Sequence, residues 1–239
     1  MIPKISLYDL LYKAHFQENT EEKDTVNFYL PLDLLETISG NISLHELFVL
    51  SLCIKNKNPK NTLELGTFNG RTTLSFLYNT RKENKIYTVD LPSEKALFTK
   101  LPIEKGQTKK EGVVYDELGF IGQKKIFDNY TYSFTNTRIK QIWKDTGELT
   151  SEDLDNNNFD FVFVDASHSY ENAKHDLYFS LSIVNPNAVI FFHDYGKGNS
   201  GWIGVNNALN EFYIKEIFSE QPSMEMYHIE DTSIVVLLT

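Results

Sequence analysis

The strongest constraint on the fold is a pair of apolar runs that flank one helical pattern. "FVFV" covers residues 161–164 and "VIFF" covers residues 189–192. Four apolar residues between the two runs recur at the spacing of one helix face: Ala173, Leu177, Leu181 and Val184. Strands joined by a helix run parallel, and continuously apolar strands are typical of a sheet covered on both faces. The pattern therefore predicts an α/β fold around a buried parallel sheet.

Similar strand and helix patterns alternate through most of the chain. Strands are predicted in "TLELG", "KIYTVD" and "IKQIWKD", and helices in residues 5–14, in residues 43–57, in "RTTLSFLYN" and in "GVNNALNEFY". Ser43 and Glu46 have the spacing of a capping box. The closing runs "MEMYHI" and "SIVVLLT" have no helix between them, which predicts a hairpin. We expect a mostly parallel, seven-stranded sheet with an antiparallel edge strand and helices on both faces.

The chain of 239 residues is the size of one enzyme domain, so we expect a single domain over residues 1–239. Within it, residues 1–58 form N-terminal helices that are candidates for a dimer interface or a lid. Residues 91–137 separate two strands by more than one helix requires, and a long connection of this kind is typical of a lid or a substrate-binding segment.

Charge and composition limit the classes of partner that the protein is expected to bind. The formal net charge is −10, so nucleic-acid phosphates would be repelled and a small-molecule substrate is favoured. No stretch approaches the roughly 20 apolar residues of a membrane span, and the first residues lack the pattern of a secretory signal. Cys53 is the single cysteine, which excludes an internal disulfide. The expectation is a cytoplasmic protein without a membrane or nucleic-acid partner.

Ligands of open α/β sheets bind beyond the carboxyl ends of the strands, and five strand ends here carry an acid. After the first strand, "ELGTFNG" places Glu64 beside Gly66 and Gly70. A carboxylate there disfavours a phosphate and suits an amino group or a cation, and the spacing is not that of a dinucleotide-binding motif. Asp90 ends the next strand, where a carboxylate can accept hydrogen bonds from both ribose hydroxyls. Together these features favour a nucleoside-type ligand.

Several motifs carry a family resemblance. "NTLELGTFNGRTTLSFLYNT", "KIYTVDLP", "IKQIWKDTGEL" and "FDFVFVDASHSYENAKHDL", followed by "NAVIFFHDY", resemble the successive motifs of class I S-adenosylmethionine-dependent methyltransferases. More narrowly, they resemble the branch with macrolide-sugar O-methyltransferases and cephalosporin-hydroxylase-like proteins. The resemblance covers about residues 40–239 and implies a Rossmann-like, doubly wound fold.

The resemblance also implies roles for individual residues. S-adenosylmethionine would be bound at these positions: Glu64, Gly66, Thr67, Phe68, Asn69, Gly70, Asp90, Asp145 and Thr146. Glu64 would lie near the ammonium group and Asp90 near the ribose, while Asp145 and Thr146 would border the adenine.

The residues after the fourth and fifth strands are candidates for chemistry at the acceptor. O-methylation requires removal of a hydroxyl proton, and His168 has the side chain best suited to do this near neutral pH. The resemblance implies a divalent metal held by Asp165, His193 and Asp194. His193 departs from the carboxylate usual in the metal-binding relatives, and imidazole favours softer ions than Mg²⁺. The site could therefore hold a softer metal, Mg²⁺ through the two aspartates, or no metal.

The sequence predicts a small-molecule O-methyltransferase that uses S-adenosylmethionine. Two alternatives remain open at this point. One is a metal-dependent hydrolase built on Asp165, His168, His193 and Asp194, which leaves Glu64 and Asp90 unexplained. The other is a catalytically silent protein that binds S-adenosylmethionine or a partner. The acceptor cannot be read from the sequence, and a sugar, a nucleotide-linked sugar and a phenolic acid all remain compatible with it.

Overall fold

The computed structural model describes residues 1–13, 30, 42–68, 70–91, 100–101, 138–196, 202–219 and 223–239. These residues form one sheet of eight strands: β1 (Lys4–Ile5), β2 (Asn61–Leu65), β3 (Lys85–Asp90), β4 (Ile139–Trp143), β5 (Phe159–Val164), β6 (Val184–Phe192), β7 (Glu225–Ile229) and β8 (Val235–Leu238). Five α-helices accompany it: α1 (Leu7–Lys13), α2 (Leu44–Lys57), α3 (Arg71–Asn79), α4 (Tyr170–Ser182) and α5 (Ile203–Phe212). A short 3₁₀ turn covers Thr146–Glu148, and a π-helical segment, Tyr213–Phe218, extends α5.

The strand order is β1-β7-β8-β6-β5-β2-β3-β4. All neighbours pair in parallel except β8, which is antiparallel to both β6 and β7. The predicted mostly parallel, doubly wound fold and its terminal hairpin are confirmed. Two details differ. The sheet has an eighth strand, β1, which at two residues is too short to show a strand pattern, and β1 and β7 lie outside the antiparallel strand β8.

The continuously apolar strands are explained by packing on both faces of the sheet. Phe161, Phe163 and Phe191 point to one face, where the ring of Phe76 from α3 packs against the first two at 5.4 and 6.0 Å between centroids. Val162 and Ile190 point to the opposite face and join the core under α4 and α5. Because neither face is left to water, strands β5 and β6 have no polar alternation.

Local signals set the helix starts. The Ser43 side chain accepts from the Glu46 backbone, and the Glu46 carboxylate accepts from Ser43, so the predicted capping box of α2 is confirmed. Ser169 caps α4 by accepting from the backbone of Asn172. No helix within the described ranges has the length and apolar content needed to cross a membrane. Most of the long connection over residues 91–137 lies outside the described residues.

Candidate active site

Glu64, on β2, is a carboxyl group held in the interior of the protein. It is fully buried, and the hydroxyls of Thr73 and Thr88 both donate to its Oε2 atom. Its other oxygen, Oε1, has no hydrogen-bond partner among the described residues. Burial raises the pKa of Glu64 to about 8, although the two threonine hydrogen bonds act in the opposite direction. A buried carboxyl oxygen without a partner is a costly feature that a bound cationic or amino group would relieve.

Gly66 lies where the carboxyl ends of strands β2, β3 and β5 meet. Its φ of +95° lies in the left-handed region, and a Cβ at this position would stand 2.0 Å from the carbonyl oxygen of Asp165. Its amide donates to Val89 on β3 at 2.8 Å. This position requires glycine because the turn after β2 packs against the backbone after β5.

Asp90 connects the end of β3 to the turn after β2. Its carboxylate accepts from the backbone amide of Phe68 at 2.7 Å and from that of Leu91 at 2.8 Å. Phe68 has a φ of +50° and Gly70 a φ of +76°, so the turn approaches β3 through two left-handed residues. Asp90 and Glu64 thus lie at neighbouring strand ends with a fixed turn between them.

Asp145 and Thr146 form a third strand-end feature. Asp145 accepts from the backbone of Gly147 at 2.9 Å and from that of Lys100 at 2.6 Å, which stabilises the 3₁₀ turn. Both residues are buried. The Thr146 side chain is hydrogen-bonded to Asp176 of α4, a fully buried carboxyl group whose pKa is raised, chiefly by burial. The turn after β4 is therefore anchored to α4.

His193, the first residue after β6, is surrounded by carboxylates. Its Nδ1 lies 3.0 Å from Asp165 and 3.5 Å from Asp194, and its Nε2 lies 3.4 Å from Glu46 and 3.1 Å from the Ser233 hydroxyl. Backbone hydrogen bonds align these strand ends, since His193 donates to Val164 of β5. Both ring nitrogens of His193 thus face acceptors.

The charges at this cluster are mutually stabilising. Burial would lower the pKa of His193, but the charge of Asp165 and hydrogen bonds with Asp165, Asp194 and Glu46 raise it well above its ordinary value. Burial opposes ionisation of Glu46 and Asp194, yet hydrogen bonds with histidines hold both of their pKa values well below the ordinary range. The carboxylates on both sides of His193 therefore favour its protonated form.

His168 forms a separate pair with Asp194. Its Nε2 lies 2.7 Å from Asp194 Oδ2, and its ring stacks on Trp202 with centroids 4.7 Å apart and planes at 4°. Asp194 has a φ of +62°, an uncommon conformation for a non-glycine residue that re-aims its carboxylate at the end of β6. The backbone oxygen of Asp194 also accepts from Trp202 at 2.9 Å. A carboxylate that holds one histidine nitrogen is the arrangement of a general base and its orienting group.

Four residues of this region were not identified as functional in the sequence. Glu46 was interpreted only as part of a capping box, although its carboxylate also contacts His193. Ser233 gave no signal at all, and the glycine-rich run "YGKGNSGWIG", which contains Trp202 and Gly204, predicted a mobile loop over the site. A Cβ at Gly204 would stand 2.2 Å from the carbonyl oxygen of His168, so α5 packs directly against the turn that carries the predicted base.

The structure brings together a different set of candidate metal ligands from the set that the sequence predicted. Asp165, His193 and Asp194 do lie together, as predicted, but the ring of His193 is committed to carboxylates and Ser233. Among the described residues, the group whose ligand atoms converge within 4.8 Å is Asp165, His168 and Asp194. His168 therefore takes the position in the candidate ligand set that the sequence interpretation gave to His193. Asn69, a predicted cofactor residue, lies outside the described residues.

Comparisons with known proteins agree on the fold and family. The family model described as a methyltransferase domain matches residues 63–195. The S-adenosylhomocysteine-bound methyltransferase PaMTH1 of Podospora anserina aligns with a TM-score of 0.56 at 16% identity, over 83% of this chain and 79% of its own. The O-methyltransferase TomG of Streptomyces achromogenes, which acts in tomaymycin synthesis and was solved with S-adenosylmethionine, aligns with a TM-score of 0.53 at 12% identity, over 100% of this chain and 92% of its own. No curated protein matches the sequence.

Proposed function

Because the chain belongs to the methyltransferase domain family, we propose that it transfers the methyl group of S-adenosylmethionine to a hydroxyl oxygen of a small molecule. The recognition of a class I methyltransferase from the sequence is thereby confirmed. The acceptor, the residue roles and the independence from metal described below are parts of the proposal.

The single observation that carries the proposal is the buried Oε1 of Glu64, which has no hydrogen-bond partner among the described residues and lies within electrostatic range of Asp90. S-adenosylmethionine, when bound, supplies an electrophilic methyl group on a sulfonium centre. Glu64 would bind its ammonium group, which would favour the ionised carboxylate that burial now disfavours. Asp90 would hold the ribose, since a carboxylate oxygen that accepts from a backbone amide can accept from a ribose hydroxyl as well.

Asp145 and Thr146 complete the proposed cofactor site at the adenine. Asp145 fixes the 3₁₀ turn through backbone hydrogen bonds, and Asp176 anchors the Thr146 side chain. An adenine ring against this turn would meet a preorganised wall, and preorganisation reduces the entropy lost on binding. Gly66, Thr67, Phe68, Asn69 and Gly70 would form the floor of the site, with the turn held in place by Asp90.

His168 would remove the proton of the acceptor hydroxyl. Asp194 Oδ2 at 2.7 Å from Nε2 would orient the ring and stabilise the imidazolium that forms. Trp202 covers one face of the ring in the structure, and Nδ1 is buried. We therefore expect Trp202 to move off His168 when the acceptor binds.

The donor set fits a resident divalent metal poorly. Asp165 and Asp194 are the two carboxylates that would hold the ion, and the His193 imidazolium lies 3.0 and 3.5 Å from them. In its protonated form this ring would repel a dication, and its charge would compensate the carboxylates. We propose that His193 supplies the positive charge that a metal would otherwise bring, and that the reaction runs without a metal.

A small-molecule acceptor also follows from charge, because the formal net charge of −10 opposes a polyanionic nucleic acid. The hydrolase alternative leaves the Glu64 and Asp90 pair without a role, and the family match disfavours it further. A protein that binds S-adenosylmethionine without catalysis would not methylate any acceptor. A turnover assay therefore distinguishes this alternative from a methyltransferase.

The test is methyl transfer from radiolabelled S-adenosylmethionine to a panel of hydroxylated sugars and phenolic acids, with wild type, His168→Gln and the exposed control His45→Gln. We expect His168→Gln to lower kcat by about 10²- to 10⁴-fold while its affinity for S-adenosylmethionine is retained. His45→Gln should match wild type. Full activity of His168→Gln on an accepted substrate would remove His168 as the base.

A further inference from the structure

A large cavity is lined by residues of β1, β7, α5 and the chain that follows β6. Its volume is 740 Å³, within the range of about 300–1,000 Å³ typical of small-molecule sites. Tyr195, which directly follows Asp194 in the chain, forms part of its wall. Tyr195 therefore connects the wall of the cavity to the chain segment that carries Asp194.

The wall nearest the active site is built by polar contacts. Asn206 of α5 accepts from the Gly196 amide at 3.0 Å and donates to the Gly196 carbonyl at 2.8 Å. The Tyr195 hydroxyl donates to Asn210, one turn further along the same helix, at 3.0 Å. These contacts fix the chain after β6 to α5, so the cavity has a formed wall before any ligand arrives.

Lys4 and His228 also line the cavity, and the His228 ring packs edge-on against Tyr195 with centroids 5.1 Å apart. They are register partners on the parallel strands β1 and β7, so the side chains of Lys4 and His228 lie next to each other. Lys4 is exposed and makes no ion pair with any residue that the structure describes. His228 Nε2 lies 2.7 Å from the Thr232 carbonyl, which can only accept, so Nε2 carries a hydrogen and Nδ1 is the acceptor nitrogen of the neutral ring.

The lining differs in charge from the rest of the protein. None of the described residues that line the cavity is Asp or Glu, although the chain has 33 acids against 23 basic residues. Ile2 and Ile214 add apolar surface beside the Tyr195 ring. A cation, a hydrogen-bond acceptor and apolar walls without a carboxylate suit an anion that has hydroxyl groups and a compact carbon body.

We propose that this cavity binds a hydroxylated small-molecule anion through Lys4 and His228, and that this anion is the methyl acceptor. The role as acceptor rests on the proposed function, whereas binding of the anion does not. Lys4 would pair with the anionic group and His228 Nδ1 would accept from a hydroxyl. The body of the ligand would lie along Tyr195 toward the end of β6, where Asp194 and His168 stand.

Binding is tested with two matched pairs of probes, each differing in the anionic group. These are 3,4-dihydroxybenzoate with 3,4-dihydroxybenzamide, and glucose 6-phosphate with glucose, titrated calorimetrically into wild type, Lys4→Gln, Ile214→Glu and the control Lys60→Gln. Lys60 is an exposed lysine before β2, outside the cavity lining. The first pair tests a carboxylate and the second a phosphate.

We expect at least one anion to bind wild type more tightly than its neutral partner, by about three- to fivefold for a partly exposed ion pair. Lys4→Gln and Ile214→Glu should abolish this preference, and Lys60→Gln should preserve it. Equal binding of anion and neutral partner in wild type, a preference that survives both cavity variants, or no binding of either anion would overturn the proposal.

A parallel titration with S-adenosylmethionine separates this inference from the proposed function. A preference for the anion that depends on Lys4, without binding of S-adenosylmethionine, would sink the proposed function and leave the cavity as a ligand site. Binding of S-adenosylmethionine with no preference for the anion would leave the proposed function standing and would overturn the cavity as an anion site.

Discussion

Glu46 Oε2 lies 3.4 Å from His193 Nε2, so the carboxylate that caps helix α2 is also an ion-pair partner of the first residue after β6. The other oxygen of Glu46 accepts from the Ser233 backbone at 2.8 Å. One side chain therefore connects the N-terminal helix, the central sheet and the turn before β8. The same imidazolium contacts Asp165 on its other nitrogen, and this places a structural ion pair directly behind the proposed catalytic pair.

Replacing the central cation should destabilise the protein strongly. In His193→Gln, the carboxylates of Glu46, Asp165 and Asp194 would face one another without compensation. We expect a loss of about 3 kcal/mol in the free energy of unfolding at pH 7, measured by urea denaturation. His45→Gln removes an exposed histidine from α2 and should change stability little. A loss below about 1 kcal/mol for His193→Gln would show that the ion pairs contribute little.

The His193 cluster should also give stability a defined pH dependence. The pKa of His193 is higher in the folded protein, so its contribution is complete below about pH 6.5 and is lost as pH rises through the folded value. The pKa values of Glu46 and Asp194 are lowered, so their contributions are lost as pH falls below about 4.5. The stability difference between wild type and His193→Gln should therefore be largest near neutral pH and shrink at both extremes. A pH-independent difference would contradict this cause.

Chelation tests whether protonated His193 takes the place of a metal ion. If His193 replaces a metal, methyl transfer by wild type should be unchanged after dialysis against EDTA. His193→Gln lacks the cation, so added Mg²⁺ should raise its unfolding temperature while leaving that of wild type unchanged. Loss of wild-type activity on chelation, restored by one divalent ion, would show that a metal is needed after all.

Glu64→Gln should have opposite effects on stability and on cofactor binding. The raised pKa of about 8 means that the folded protein loses stability between about pH 4.5 and pH 8, as the carboxyl group ionises more readily in the unfolded chain. A neutral amide removes this loss, so the ligand-free variant should be more stable than wild type at pH 9, by on the order of a few kcal/mol. Its affinity for S-adenosylmethionine should fall. A variant that is less stable at pH 9, or one that binds the cofactor as well as wild type, would contradict the role of Glu64.

Gly204→Ala should impair catalysis from outside the site. The added Cβ would stand 2.2 Å from the His168 carbonyl, so the turn that carries the base must move. We expect kcat to fall by about tenfold or more, because small displacements of a catalytic group are costly, with little change in affinity for S-adenosylmethionine. Asn207→Ala alters an exposed position of the same helix and is the matched control. Equal kcat values for the two variants would show that the turn tolerates the displacement.

The sequence was informative where periodicity and topology are sufficient. The apolar runs of β5 and β6 predicted a buried parallel sheet, and parallel strands bring their carboxyl ends together, so Glu64, Asp90 and Asp165 could be grouped without coordinates. The two residues of β1 are too few to produce a pattern. Their position depends on pairing with β7, which is remote in the chain.

The surroundings of the two histidines could not be predicted from the sequence. His168 and His193 each follow a strand end near an aspartate, and the sequence predicted His168 as the base and His193 as a metal ligand. The distinction depends on Glu46 and Ser233, which approach His193 from α2 and from the turn before β8. It also depends on Trp202, which stacks on His168. These are tertiary contacts that local pattern cannot encode.

Calorimetric titration of wild type, Asp90→Ala and Glu83→Ala tests whether S-adenosylmethionine binds at the ends of β2 and β3. Glu83 is an exposed acid before the opposite end of β3, so its loss controls for charge. We expect wild type and Glu83→Ala to bind with equal affinity and Asp90→Ala to bind at least about tenfold more weakly. Absence of binding to wild type at millimolar ligand, or equal affinity in all three proteins, would contradict it.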